Sequence, residues 1–155
     1  KNKVNAQKIS HFGFSLLILS ILFNNIYSTE ITVNLKVGEK FSHRNGFILF
    51  DKIETKKIKN YNSIIGHFTI KDQDSETIFL KPELRIYNQP KTITSEADIK
   101  TSLYQDNFIV MNIVKGNEFF NIRYQTKPFM IWIWISSILI SCGGLFSLFK
   151  KRYEK

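Results

Sequence analysis

Only one cysteine, Cys142, stands among the 155 residues, which excludes an internal disulfide, a Cys-x-x-Cys redox pair and any cysteine-rich zinc site. Also missing are a phosphate-binding glycine loop, a nucleophile elbow and a paired-histidine zinc signature. There is no low-complexity linker and no internal repeat. Arginine is scarce, 4 against 18 lysines, beside 23 isoleucines and 13 asparagines, the usage that an AT-rich genome imposes. Charge is missing altogether from two stretches. Residues 129–149 are 21 positions without one charged side chain, and residues 9–27 are 19 positions in which His11 is the sole basic residue. Those stretches exclude a purely soluble protein. The first residue is Lys1 rather than Met, so the chain is expected to be the tail of something longer.

The net charge of +9 is concentrated at the ends. Three lysines and no acid lie in residues 1–8, and the tail 150–155 (KKRYEK) carries net +3. Residues 28–128 hold 15 basic and 12 acidic side chains, a net of +3 only. A nucleic-acid surface would gather arginine and lysine on one folded face, so no nucleic-acid partner is expected.

The same asymmetry specifies a topology. A bilayer core of about 30 Å needs roughly 20 apolar residues in a helix. Residues 129–149 (FMIWIWISSILISCGGLFSLF) meet that length, and residues 9–27 (ISHFGFSLLILSILFNNIY) meet it with Asn24 and Asn25 at head-group level. Lys1, Lys3 and Lys8 precede the first, and Lys150, Lys151 and Arg152 follow the second. The positive-inside rule therefore puts residues 1–8 and 150–155 in the cytoplasm or matrix and residues 28–128 on the opposite side. Tyr27, Trp132 and Trp134 then fall at that opposite surface, where aromatic rings favour the boundary. A secretory signal is the competing reading of the first segment, but its exit (NNIYST) offers no small-x-small cleavage pattern.

Between the two segments the period changes. In EITVNLKVGEKF, Ile31, Val33, Leu35 and Val37 share one face and Thr32, Asn34 and Lys36 the other. NGFILFDKIE, SIIGHFTIKD, ETIFLKPELRIY, NFIVMNIV and EFFNIRYQ are further short β-rich runs, separated by Val-Gly-Glu, His-Arg-Asn-Gly, Lys-Asp-Gln-Asp-Ser and Lys-Gly-Asn-Glu. Such spacing predicts a sandwich or small barrel. One helix is predicted over TSEADIKTSLY (94–104), with Thr94 or Ser95 as cap and Glu96 and Asp98 in the first turn. The fold class is thus a membrane protein: a mainly β extramembrane domain flanked by two transmembrane helices.

Titratable candidates are few. His43 follows Ser42 in an expected turn and His67 lies mid-strand, both read as surface or half-buried side chains. Cys142, beside Gly143 and Gly144, reads as part of a close helix-packing face. His11 differs by its position. A charged residue at membrane depth costs roughly 2.5–3.5 kcal/mol, so an ionisable one there points to function, although three residues past Lys8 it also suits the interface. Gly13 would admit either a flat macrocycle or a second helix, and imidazole is a standard axial ligand of haem iron.

Three stretches bring a family into view. LKPELRIYNQP (80–90) is similar to a Pro-Glu-x-Arg-x-Tyr strand of the CcmF membrane haem lyases of cytochrome c maturation. TSEADIKTSLYQDNFIVM (94–111) resembles their Thr-x-Glu-x-x-Ile … Leu-x-x-Asp-x-Tyr-Val-Val run, with Phe108 in place of the tyrosine. RYQTKPFMIWIWISSILISCGGLFSLF (123–149) resembles their closing Pro-x-x-x-Trp-Ile-Trp helix with its Gly-Gly pair. The order and spacing agree over nearly all of the chain.

The resemblance implies that residues 28–128 are the periplasmic or intermembrane-space β domain between the last two helices. It implies a bacterial inner membrane location, or the mitochondrial inner membrane if organelle-encoded. The family takes haem from the chaperone CcmE and promotes its covalent attachment to a Cys-x-x-Cys-His apocytochrome c. Further implied partners are the remainder of CcmF, CcmH-type apocytochrome-handling proteins and the lipid bilayer. His11 in ISHFG matches the Ala-His-x-Gly histidine that ligates a permanent haem b, with Ser10 in place of alanine. The family's tryptophan-rich WWD segment, its other haem-binding histidines and the second haem b ligand are upstream features without a match here. No catalytic residue is therefore assigned, and this part is not expected to be active alone. The alternatives are a membrane-tethered β scaffold of an envelope assembly complex without haem, and a hydrolase of the β domain.

Overall fold

Among the described residues, alternation of apolar and polar side chains folds into ten strands, and the two long apolar stretches into two helices. The computed structural model describes residues 2–43, 46–72, 76–114, 116 and 118–153, with side chains between Ala6 and Phe149. The end residues Lys1, Glu154 and Lys155, and the side chains of Lys3, Lys150, Lys151 and Arg152 that the charge argument used, lie outside that description. The chain divides into two compact units: residues 1–28, 101–106 and 127–155, and residues 29–100 with 107–126.

The β unit contains a four-stranded and a six-stranded sheet. Strands β1 (Thr29–Leu35), β8 (Asp98–Thr101), β9 (Gln105–Ile113) and β10 (Phe120–Pro128) form the first, in the order β1-β10-β9-β8. Strands β2 (Lys40–His43), β3 (Gly46–Lys57), β4 (Tyr61–Asp72), β6 (Glu83–Asn88) and β7 (Lys91–Glu96) run in order across the second, and β5 (Ile78–Leu80) pairs with β4. Antiparallel pairing sets β1 against β10 from Thr29↔Thr126 to Leu35↔Phe120. One face of each sheet is apolar. Leu35, Ile48, Phe50, Phe68, Ile109 and Ile122 are buried in one cluster, which removes their apolar surface from water at about 25 cal/mol per Å². Phe50 stacks on its ladder partner Phe68 at 4.4 Å and meets Phe120 of the other sheet edge-on at 5.6 Å. That contact across the two sheets makes the unit a sandwich. The Tyr124 hydroxyl, inside the core, donates to Asn107 Oδ1 at 2.8 Å, and burial pushes its pKa up.

Of the expected turns, Val-Gly-Glu lies wholly within the described residues and falls at a chain reversal. Gly38 of Val-Gly-Glu has φ +84°, a left-handed conformation that glycine adopts at no steric cost, and its N–H donates to Phe50 O at 2.6 Å. Arg44 and Asn45, Gln73 to Ser75, and Lys115 and Asn117 of the other turn signals lie outside the described residues. His43, expected in a turn, ends β2 opposite Gly46.

The helix expected over residues 94–104 is not formed. Its first residues belong to β7, paired to β6 from Glu83↔Glu96 to Asn88↔Lys91, and Asp98–Thr101 is β8. The groups that looked like caps bond elsewhere: Asp98 Oδ2 accepts from Lys81 N at 2.6 Å and Ser95 Oγ bonds Asn112 Oδ1. Capping signals are local, and a ready sheet edge at β6 outcompetes them with a full ladder of backbone bonds.

The other unit is an antiparallel helix pair. Helix α1 covers Asn2–Tyr27, starting before the expected Ile9, and α2 covers Met130–Tyr153, ending beyond Phe149. Within them Ala6–Tyr27 and Met130–Phe149 are long and apolar enough to cross a membrane, and only 11% of the most apolar window of each is buried, unlike a core helix of a soluble protein. Ala6, Ser10, Gly13 and Ser20, at spacings of three, four and seven, lie along one side of α1. A Cβ on Gly13 would stand 3.0 Å from Leu139 Cβ and 3.1 Å from Ile140 N, so α2 fills the space there. Small residues let two backbones approach where lipid supplies no hydrophobic drive.

Candidate functional site

His11 is set by the small stripe beside it. Ser10 reaches Ile140 O at 3.4 Å and Gly13 abuts Leu139, so both face α2. His11 is turned about 100° from Ser10 around the helix, and its side chain is exposed on the outer surface of the pair. Its backbone carbonyl accepts from Ser15 Oγ at 3.0 Å. The imidazole makes no hydrogen bond to a described residue. Of the two occupants expected at Gly13, the second helix is the one present.

An exposed imidazole on an apolar helix fits one axial position of a haem iron. The described residues hold no group of three or more His, Cys, Asp or Glu suited to a metal ion. Met130 Sδ sits 4.0 Å from Asn24 Nδ2, at the other end of the helix pair. Asn24 is thirteen positions from His11, about 20 Å along α1 at 1.5 Å per residue, too far for one iron. Among the described residues the helix pair thus offers one imidazole at this level and no methionine beside it.

In the β unit, a register shift between Phe50 and Lys52 interrupts β3 opposite β4. Beside it a groove of about 560 Å³ is lined by Asp51, Lys52, His67, Thr69, Phe79 and Lys81. Thr69 Oγ1 donates to Asp51 Oδ2 at 2.6 Å, and His67 Nε2 lies 3.2 Å from Glu54 Oε2. Lys56, then His67, hold the Glu54 carboxyl below the usual carboxylate range. Among the described residues, Asp51 is the one carboxylate that lines the groove. His43 Nε2 faces Asp72 Oδ1 at 3.7 Å, and neither β-unit histidine adjoins a second one.

At the Asn24 end, strand passes to helix in one residue. Phe129, φ 59°, takes the turn; Asn24 Nδ2 donates to Pro128 O at 2.7 Å and Phe23 packs on Phe129 at 5.4 Å. The loop 101–106 joins here: Trp132 Nε1 donates to Leu103 O at 2.9 Å and Phe129 N to Tyr104 O at 2.8 Å. The sequence places residues 101–104 at the end of the helix expected over 94–104, and that helix is not formed. The one signal of the loop was an apolar pair, Leu103-Tyr104, between Ser102 and Gln105.

Fold and geometry define a class: a β-sandwich carried between two apolar helices of membrane-crossing length, the first presenting a lone imidazole. Residues 26–128 match the family described as CcmF C-terminal beta-sandwich, and the chain belongs to it. It is 31% identical to the cytochrome c-type biogenesis protein CcmF of Escherichia coli (strain K12) over 150 residues, 94% of this chain and 23% of that protein. It is 25% identical to the CcmF of Pseudomonas aeruginosa over 147 residues, 95% of this chain and 22% of that protein. The solved structure of "Cytochrome c Heme Lyase CcmF" shares the fold with a TM-score of 0.69 at 18% identity, over 94% of this chain and 25% of that one. The chain spans about a quarter of the length of the relatives it matches.

Proposed function

We propose that this chain forms the C-terminal portion of a membrane haem lyase for cytochrome c maturation. It contributes one axial ligand of a haem b, His11, and a β domain outside the bilayer. The observation that carries the reading is the His11 imidazole, exposed on the outer face of a membrane-length helix in a chain of this family. The second ligand comes from outside residues 1–155, since Met130 lies at the far end of the helix pair. Haem bound there would supply a one-electron centre able to reduce incoming haem. His11 would hold the iron, and the packed Ser10–Gly13 face would fix the azimuth of its ring.

Residues 28–128 lie on the periplasmic or intermembrane-space side, with residues 1–8 and 150–155 in the cytoplasm or matrix. The membrane is the bacterial inner membrane, or the mitochondrial inner membrane for an organelle-encoded chain. Partners in this reading are the rest of CcmF, the haem chaperone CcmE, CcmH-type proteins and apocytochrome c. The test is the visible spectrum of the full-length protein. His11→Ala should abolish or strongly change the haem b bands, with partial return on added imidazole, whereas His43→Ala and His67→Ala should leave them nearly intact. An unchanged spectrum in His11→Ala returns the residue to an interfacial role. A pyridine haemochrome assay without haem would favour the scaffold reading.

A further inference from the structure

We infer that the turn Ser102–Gln105 is a membrane-surface anchor, with Leu103 and Tyr104 seated at the boundary between lipid head groups and acyl chains. The turn is closed on itself. Ser102 N and Oγ both donate to Gln105 O, at 3.0 and 2.7 Å, and Gln105 N donates back to Ser102 Oγ at 3.1 Å. Both apex carbonyls are also capped, Leu103 O by the Trp132 indole and Tyr104 O by the Phe129 amide. A turn immersed in water has no need of such caps, whereas backbone carbonyls near hydrocarbon must find internal donors. What the turn leaves uncovered is side chain: Leu103 is 60% and Tyr104 74% exposed.

The depth of the turn follows from what holds it. Phe129 and Trp132 flank Met130, the first residue of the second membrane-length helix, so the turn sits level with the start of that span. Tyr27 and Trp134, at the same end of the pair, are 61% and 64% exposed. Like Tyr104 they are amphipathic aromatics, the residue type favoured where hydrocarbon meets water. A lipid surface is therefore the occupant: it is the continuation, at that level, of whatever surrounds the exposed helix faces.

This inference rests on the spanning role proposed for the helices, and the experiment separates the two. In the full chain with Cys142→Ala, a nitroxide is attached singly at Leu103→Cys, Tyr104→Cys or Ile138→Cys, and the protein is placed in phosphatidylcholine–phosphatidylglycerol nanodiscs. Collision of each label with oxygen and with a water-soluble nickel chelate is then measured. Labels at 103 and 104 should meet oxygen several-fold more often than the chelate, at a shallower depth than the label at 138. Preferential access to the chelate at 103 and 104, with 138 still shielded, overturns the anchor while sparing the span. Low access to both reagents overturns it in favour of a covering protein segment. Chelate access at 138 overturns the span itself, and the anchor with it.

Discussion

Gly143 lies against Ser10: a Cβ on Gly143 would stand 2.9 Å from Ser10 N and from Ala6 O, and closer still to Ser10 Oγ. Two of those atoms are backbone and cannot move aside. The neighbouring Gly144 has nothing within 4 Å of a Cβ. Gly143→Leu should therefore force the helices apart, at the roughly 1–3 kcal/mol of overpacking, and Gly144→Leu should be tolerated. Thermal unfolding of the detergent-solubilised protein checks this: the midpoint should fall for the first variant and stay for the second. Equal midpoints would mean that the pair has another contact face.

The lysines outside both apolar segments predict the side on which each part lies. Alkaline phosphatase fused within residues 72–76 should be active, and a fluorescent protein fused after Lys155 should glow. Phosphatase activity from a fusion after Lys155 would reverse the topology.

On β6, Arg85 Nη2 donates to Glu83 Oε2 at 3.0 Å and holds that carboxyl below the usual range, against a smaller opposing effect of burial. A lowered folded pKa means that this stabilisation is present above the unfolded glutamate value of about 4.3 and is lost as pH falls through the folded value. Both side chains are partly solvated, so the loss should be small. Urea midpoints between neutral pH and pH 3 should fall less in Glu83→Gln than in the parent protein. Identical acid profiles would show that the pair contributes nothing.

Residues 1–155 alone should not hold low-spin haem. One imidazole leaves the other axial position open, and Met130 Sδ is at the opposite end of the helices. The reduced spectrum of this chain, purified in detergent with haem, should lack a sharp α band. A sharp band at one haem per chain would require two copies pairing through His11, or a ligand outside those named.

Legibility followed the range of the interactions. The strands around Ile31, Phe50, Phe68 and Ile109 were readable because alternation is a property of each segment alone. Residues 94–104 carry genuine local capping signals for a helix, while the β6 edge that captures Lys91–Glu96 exists only after folding. The pair Gly143-Gly144 was readable as a packing face, yet only Gly143 meets α1, since successive residues on a helix point about 100° apart.

By itself, the sequence determined two membrane-length helices, a β domain between them, and a lone imidazole near the start of the first. Each follows from composition and period, which no distant contact can change. Only the tertiary structure decided which way that imidazole points and what closes on Gly13. The rotation of α1 is set by burying Ala6, Ser10 and Gly13 against α2, and that choice turns His11 outward. The same holds for Leu103 and Tyr104: their place at the start of α2 depends on an indole twenty-nine residues away in sequence, a bond that no local pattern announces.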